Sequence, residues 1–303
     1  MLALSIAFSV LAAALVWVAG RRDEARDPRL TLMALGLLAL FPLLLLLPKL
    51  EILPPSRPGS ASLETTLPSW WPWLWGSGVV LAGLRLVMAL AQLCLWRLRS
   101  RVVAMTGENR SIPVRLLPGL SGPIAAGIYH PVVFVPPAWE QWPDEVREAV
   151  LAHEVQHHHR HDPLWRAIAA AACTIHWYNP LVWWMARRLA DQCEYACDEA
   201  VLATGMDGRR YAHVLCDLAG GPRSPATALA MAHRSGLEAR VRRMFAPRGP
   251  SSRRAVIVLS ILTSFTAIGL VILRPAPPPQ KPAVPIEEVR LRLSADPFPG
   301  DAP

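Results

Sequence analysis

Charge is scarce in this chain. Only 18% of its 303 residues are Asp, Glu, Lys or Arg, against 52% hydrophobic, and the mean hydropathy is +0.28. That balance excludes a disordered chain, which cannot carry so much apolar surface. Lysine is nearly missing: Lys49 and Lys281 are the only two, so the net charge of +8 rests on arginine. The five cysteines are odd in number and scattered, which excludes a disulfide framework. There are no internal repeats.

What is present instead is apolar sequence in long runs: Leu2–Val18, Leu30–Leu47, Gly78–Trp96 and Ala255–Leu273. Each approaches the roughly 20 helical residues that cross a bilayer core. The first has no basic segment ahead of it and is followed by Arg21 and Arg22, which makes it a retained span and not a signal peptide. Arg26 and Arg29 extend that cluster. Arg97, Arg99 and Arg101 follow the third run, and Arg248, Arg253 and Arg254 precede the fourth. The connection 51–76 has Arg57 alone and carries Trp70, Trp71, Trp73 and Trp75 near its end, as an interfacial belt would. By the positive-inside rule both termini face out and residues 97–254 face the cytosol. Arginine at span ends is membrane-surface charge, so direct nucleic-acid binding is set aside. The expected organisation is three spans within 1–96, a cytosolic domain over 97–254, a fourth span over 255–273 and a tail over 274–303. The tail opens with a polyproline-like stretch, read as a disordered stub, or else as a spacer or a docking segment.

A further apolar stretch, Ala167–Ala186, is interrupted only by His176 and Asn179-Pro180. As a span it would hold its two flanks about 30 Å apart. The chemistry described next needs those flanks together. Two short apolar helices broken at Asn179-Pro180 are therefore expected, buried or pressed against the bilayer.

Trp142-Pro143-Asp144-Glu145 opens a helix well, with proline at the start and acids in the first turn. Val146, Ala149, Val150, His153 and His157 then fall on one stripe at helical spacing. His153-Glu154-Val155-Gln156-His157 is an HExxH pattern on the inward face. Histidines at i and i+4 can offer two nitrogens to one Zn²⁺, and Glu154 beside them can take a proton from water. His158, His159 and His161 lie on other sides of the helix and are read as a solvated or interfacial face.

A third ligand should come from a second helix. Leu181–Ala203 reads as that helix, stopped by Gly205. Glu194 and Asp198 lie one turn apart on its core-facing stripe, and buried acids need a partner. Glu194 is assigned as third ligand and Asp198 as the group orienting a ligand, a histidine. The competing assignment is a pair of helix salt bridges to Arg187 or Arg188. Cys193 and Cys197 are read as small buried hydrophobes.

These strings, with His161-Asp162-Pro163-Leu164-Trp165, Asn179-Pro180-Leu181-Val182-Trp183-Trp184 and Glu194-Tyr195-Ala196-Cys197-Asp198, resemble the M56 family of membrane metallopeptidases, relatives of the BlaR and MecR antirepressor sensors. The resemblance covers about residues 1–275 and is strongest over 144–218. It implies a mainly α membrane protein with four transmembrane helices and a cytosolic α+β gluzincin-like zinc peptidase domain between spans three and four. It carries the family's zinc ligands to His153, His157 and Glu194 and its catalytic glutamate to Glu154. It further implies a cytosolic transcriptional repressor, or the chain itself, as substrate. The partners expected are thus the lipid bilayer and that repressor, with a homodimer admitted. The family's antibiotic sensors carry an extracellular penicillin-binding domain after the last span. A proline-rich tail stands there instead, so acylation by a β-lactam is not expected.

Ser111–Arg115 and Pro131–Val135 look like strands among glycines and prolines. Val132–Val135 or Gly122–Gly127 is expected to hold an extended substrate by strand addition, with ordinary core strands as the alternative. Tyr211, His213 and Arg210 are the candidates for the oxyanion-stabilising group. Two other functions fit the residues: a zinc-stabilised signalling scaffold that does not cut, and a housekeeping membrane-protein peptidase.

Overall fold

The computed structural model describes residues 2–21, 28–44, 50–53, 69–106, 111–220, 227–246 and 273–275. They form a mostly helical protein with a small mixed sheet. Three helices come first: α1 (Leu2–Arg21), α2 (Arg29–Leu44) and α3 (Trp71–Arg99). Among the described residues, α3 is the one helix long and apolar enough to cross a membrane. None of its side chains is buried within the protein. It starts earlier than the hydropathy run, so Trp71, Trp73 and Trp75 lie within the helix and not ahead of it. The fourth apolar run, apart from Leu273, lies outside the described residues, as does the tail after Pro275.

Four helices follow the sheet region: α4 (Asp144–His159), α5 (Asp162–Ile175), α6 (Pro180–Ala203) and α7 (Gly208–Gly220); α8 (Thr227–Met244) completes the helical part. The expected break in the Ala167–Ala186 stretch is present. α5 ends at Ile175, and Asn179 caps α6 by accepting from the Leu181 amide at 3.1 Å. The α5–α6 hairpin is buried against α1 and α2. Phe8, Ala12 and Val16 of α1 and Leu35 and Leu38 of α2 share one core with Ala172, Val182, Met185 and Leu189. At the hairpin tip the polar groups find partners inside this apolar bundle, as burial requires. His176 Nε2 lies 3.0 Å from the Leu38 carbonyl, and Asn179 Nδ2 donates to Ser9 Oγ at 2.9 Å.

The sheet runs β2 (Arg101–Thr106), β3 (Ile112–Leu116), β5 (Val132–Val135), β4 (Ile124–Ala126), with β3 and β5 parallel and the other pairs antiparallel. Successive side chains of β5 point to opposite faces. Val133 and Val135 pack with Val114 against Val150 and Val155 of α4, while Val132 and Phe134 pack under Leu93 and Trp96 of α3. Each valine so buried contributes on the order of 1.5–3 kcal/mol by leaving water. This corrects one expectation. Val132–Val135 is an interior strand, paired on both sides and wholly buried, so it cannot add a substrate strand. The edges of the sheet are β2 and β4; β4 lies inside the Gly122–Gly127 stretch and runs next to α4.

Two further strands, β1 (Leu50–Leu53) and β6 (Leu273–Pro275), pair in parallel.

Candidate metal centre

α4 begins at Asp144 with Pro143 at its cap position, and its buried face holds Ala149, Val150, His153, Glu154 and His157. The i, i+4 spacing brings the two imidazoles together, ring centroids 5.0 Å apart and nearly perpendicular. α6 crosses α4 and delivers Glu194. Its Oε2 is 3.3 Å from His153 Nε2, and its Oε1 is 3.5 Å from His157 Nε2. One ligand atom from each of the three residues falls within 4.8 Å of the others.

The other nitrogen of each ring is held from behind. His157 Nδ1 lies 2.8 Å from Asp162 Oδ2. His153 Nδ1 lies 2.9 Å from the Tyr211 hydroxyl and 3.2 Å from Asp198 Oδ1. Tyr211 donates to Asp198 at 2.8 Å, which leaves its oxygen to accept from His153. Both rings therefore carry a proton on Nδ1, and both Nε2 atoms face Glu194. That is the arrangement metal-ligating histidines use, with the outer nitrogen hydrogen-bonded to a carboxylate. Two ligands about 2.0–2.2 Å from a tetrahedral ion stand roughly 3.3–3.6 Å apart, and the observed 3.3 and 3.5 Å gaps, each to a different oxygen of Glu194, are of that size.

Electrostatics agree. Burial alone would lower the His153 pKa, but its hydrogen bonds to Asp198 and Glu194 and the charge of Glu154 outweigh it and raise it to about 9. Burial would raise Glu194, but the His153 hydrogen bond and the charges of His153, Arg240 and His157 hold it well below the usual carboxylate range. With no metal bound, a proton on His153 Nε2 thus faces the Glu194 carboxylate. Glu154 is 7% exposed on the same face of α4, and its charge is one of the influences that raise His153.

Several residues sit where the sequence did not lead. Asp162, 1% exposed, is brought behind His157 by the tight turn between α4 and α5, in which His161 takes a left-handed φ of 58°. Cys197 is at the same place, its Sγ 3.3 Å from His157 Nδ1 and 3.6 Å from Asp162. Burial and the Asp162 charge push its thiol far up, and with His157 and Asp162 it forms a second buried group whose ligand atoms lie within 4.8 Å of one another. Among the described contacts, Glu194 and Asp198 pair with neither Arg187 nor Arg188. Arg166 contacts Glu194 Oε1 at 2.8 Å, and Arg240 contacts both acids. Of the oxyanion candidates, Tyr211 is 1% exposed behind His153, and Arg210 is exposed beside Glu145. His213 is exposed on α7. His158 faces the Val132 carbonyl at 3.1 Å, while His159 and His161 are exposed.

Two buried histidines and a glutamate converging on one point, each ring fixed by its own carboxylate, define a candidate metal centre in a helical protein with an apolar unburied helix beside it. Comparison with known families agrees with that class. The family model described as BlaR1 peptidase M56 matches residues 79–244, and the chain belongs to this family of metal-dependent peptidases. The "Regulatory protein BlaR1" of Bacillus licheniformis is 31% identical over 87 residues, which cover 29% of this chain and 14% of that protein. The chain thus matches only a small part of the length of that relative.

Proposed function

We propose that the protein is an integral membrane zinc endopeptidase whose centre is His153, His157 and Glu194, with Glu154 as general base and acid. The observation that carries this is the convergence of both Nε2 atoms on Glu194 while both Nδ1 atoms are engaged by acids. Zinc, when bound, supplies Lewis-acid polarisation of the scissile carbonyl and a lowered pKa for water. Glu154 accepts the proton of the attacking water and returns it to the leaving amine nitrogen. Asp198, with Tyr211, holds His153 in its ligand tautomer, and Asp162 does the same for His157. The free edge of β4, half-exposed and beside α4, receives the substrate in extended form by strand addition.

The membrane arrangement proposed is four spans with both termini outside. Two observations support it. β1 follows α2 and β6 follows the run 255–272; their parallel pairing sends the chain out of both in the same direction at the same level. α3 also acts as a ruler. Near its start Trp75 Nε1 donates to the Ile175 carbonyl at 3.2 Å, beside the hairpin tip. Near its end Trp96 packs on Phe134 of the sheet, ring centroids 6.0 Å apart. Trp75 to Trp96 is about 31 Å of helix, close to the thickness of a bilayer core. The hairpin then lies within the membrane's thickness and the sheet at its cytosolic face, with the metal centre close to that face.

The substrate proposed is a cytosolic transcriptional repressor, or the chain itself, cut in a transmembrane signalling pathway. The relative named a regulatory protein supports a signalling role. The test begins with metal content of detergent-purified protein. About one zinc per chain is expected, lost in both His157→Ala and Glu194→Ala. Glu154→Gln should retain zinc and lose cleavage. Signalling that survives Glu154→Gln but not His153→Ala would replace the peptidase with a zinc-stabilised scaffold.

A further inference from the structure

Glu194 and Asp198 stand one turn apart on α6, and a single side chain from α8 touches both. Arg240 Nε donates to Asp198 Oδ2 at 2.8 Å, and its Nη2 donates to Asp198 Oδ1 at 2.6 Å. Its Nη1 lies 3.2 Å from Glu194 Oε2, the oxygen that faces His153. Nη2 comes within 3.5 Å of His153 Nε2 itself. The side chain is 19% exposed and Asp198 is 3% exposed, so this is a nearly dry ion pair.

Two like charges one helical turn apart repel, and a buried carboxylate left without a cation carries a heavy desolvation cost. Arg240 answers both problems with one rigid plane. Its fork fixes the Asp198 carboxylate, which in turn sets the His153 ring, and its remaining corner fixes one oxygen of Glu194. Arg166 also reaches Glu194, but through one contact from a side chain 47% exposed, where solvent weakens the pairing. Arg240 therefore ties a ligand to the group orienting another ligand through direct contacts to both.

We propose that Arg240 is the positioning residue of the metal centre, holding Glu194 and the Asp198–His153 pair in register so that α8 completes a site otherwise built by α4, α5, α6 and α7. The inference rests on the metal-centre assignment above and adds a residue on a helix from which no other described side chain reaches the cluster.

The test uses the full chain in detergent, stripped of metal. Zinc affinity is measured by competition with a chromogenic chelator, and the visible spectrum is recorded with Co²⁺. Arg240→Ala is expected to weaken zinc binding by about 10–100-fold, the usual cost of losing an outer partner, and to change the cobalt bands. Arg240→Lys should recover only part of the affinity, because one ammonium cannot bridge two carboxylates as a planar fork does. Arg243→Ala is the control: it removes the stacking of Arg243 over Tyr195, 4.7 Å to the ring centroid, from the same helix. It should bind zinc like the wild type. Wild-type affinity and spectrum in Arg240→Ala would overturn the proposal. So would an equal loss in Arg243→Ala, which would make the effect one of helix packing. Wild-type protein that takes up no zinc would overturn the metal-centre assignment itself, and this inference with it.

Discussion

His153 and His157 sit one turn apart on one helix and turn the same nitrogen toward the same glutamate, yet the protein secures them by different means. His157 is backed by Asp162, five residues downstream, through a turn whose geometry is local. His153 is backed by Tyr211, Asp198 and, through Asp198, Arg240, from three separate helices. One ligand is thus oriented mainly by its own neighbourhood, with Cys197 of α6 as a second contact at 3.3 Å from the same nitrogen. The other is oriented only when α6, α7 and α8 have all docked. The candidate metal centre therefore draws on short-range contacts for one histidine and on several docked helices for the other.

That contrast can be attacked at four strengths. The largest effect comes from removing either ligand, where the difference should vanish. His153→Ala and His157→Ala are each expected to abolish stoichiometric zinc, read by elemental analysis; zinc retained in either would remove that histidine from the centre. The outer partners should then separate the two. Asp162→Asn and Asp198→Asn are each expected to weaken zinc by about 10–100-fold, with Asp198→Asn the larger because it also frees Tyr211 and Arg240. Chelator competition measures both, and a larger loss in Asp162→Asn would invert the hierarchy.

A smaller effect follows from protons. His153 is raised to about 9 when no metal is bound, so zinc entry at pH 7.5 must displace its proton. Affinity should rise with pH, by at most about tenfold per unit, and level off above 9. Calorimetry in buffers of different ionisation enthalpy should count about one proton released per zinc at pH 7.5; no proton would contradict a charged His153. The sign for the metal-free fold is opposite. A raised histidine stabilises fully below its unfolded value near 6.5 and loses that contribution as pH climbs through 9. The metal-free protein should therefore melt lower at pH 10 than at pH 6.5. The smallest effect is Tyr211→Phe. It removes one buried hydroxyl whose bonds contribute about 1 kcal/mol, or about 2–4 °C in Tm, while Asp198 still holds His153. A loss of zinc binding as large as in Asp198→Asn would make Tyr211 an equal partner.

Much of this was legible in the sequence wherever the signal was local. The i, i+4 spacing put His153 and His157 on one buried stripe, and Asn179-Pro180 broke the apolar stretch at the observed place. Gly205 closes α6 with a φ of +95°. Glu194 and Asp198 could be found because acids on an apolar stripe are conspicuous. Arg240 could not, because it lies 42 residues beyond Asp198 on an arginine-rich helix with no distinguishing spacing. Tyr211 was noticed for the wrong position: an aromatic hydroxyl near the site does not reveal whether it faces substrate or stands behind a ligand. The strand order failed for a related reason. Val132–Val135 reads as an extended segment either way, and pairing on both sides is a long-range property that periodicity does not encode.

The hairpin that packs against α3 has one more consequence. α6 runs unbroken from Pro180, beside the tip, to Ala203, so the tip and Glu194 belong to one stiff rod about 21 Å apart. Gly78 of α3 is pressed against the Trp177 ring with no space for even a methyl group between them. A tilt of that rod by about 5° carries its far end nearly 2 Å, and displacements of about 1 Å at a reacting centre can cost 10²-fold in rate. In the proposed arrangement, a nudge at the start of the third helix would thus act as a throttle on the chemistry at the candidate metal centre.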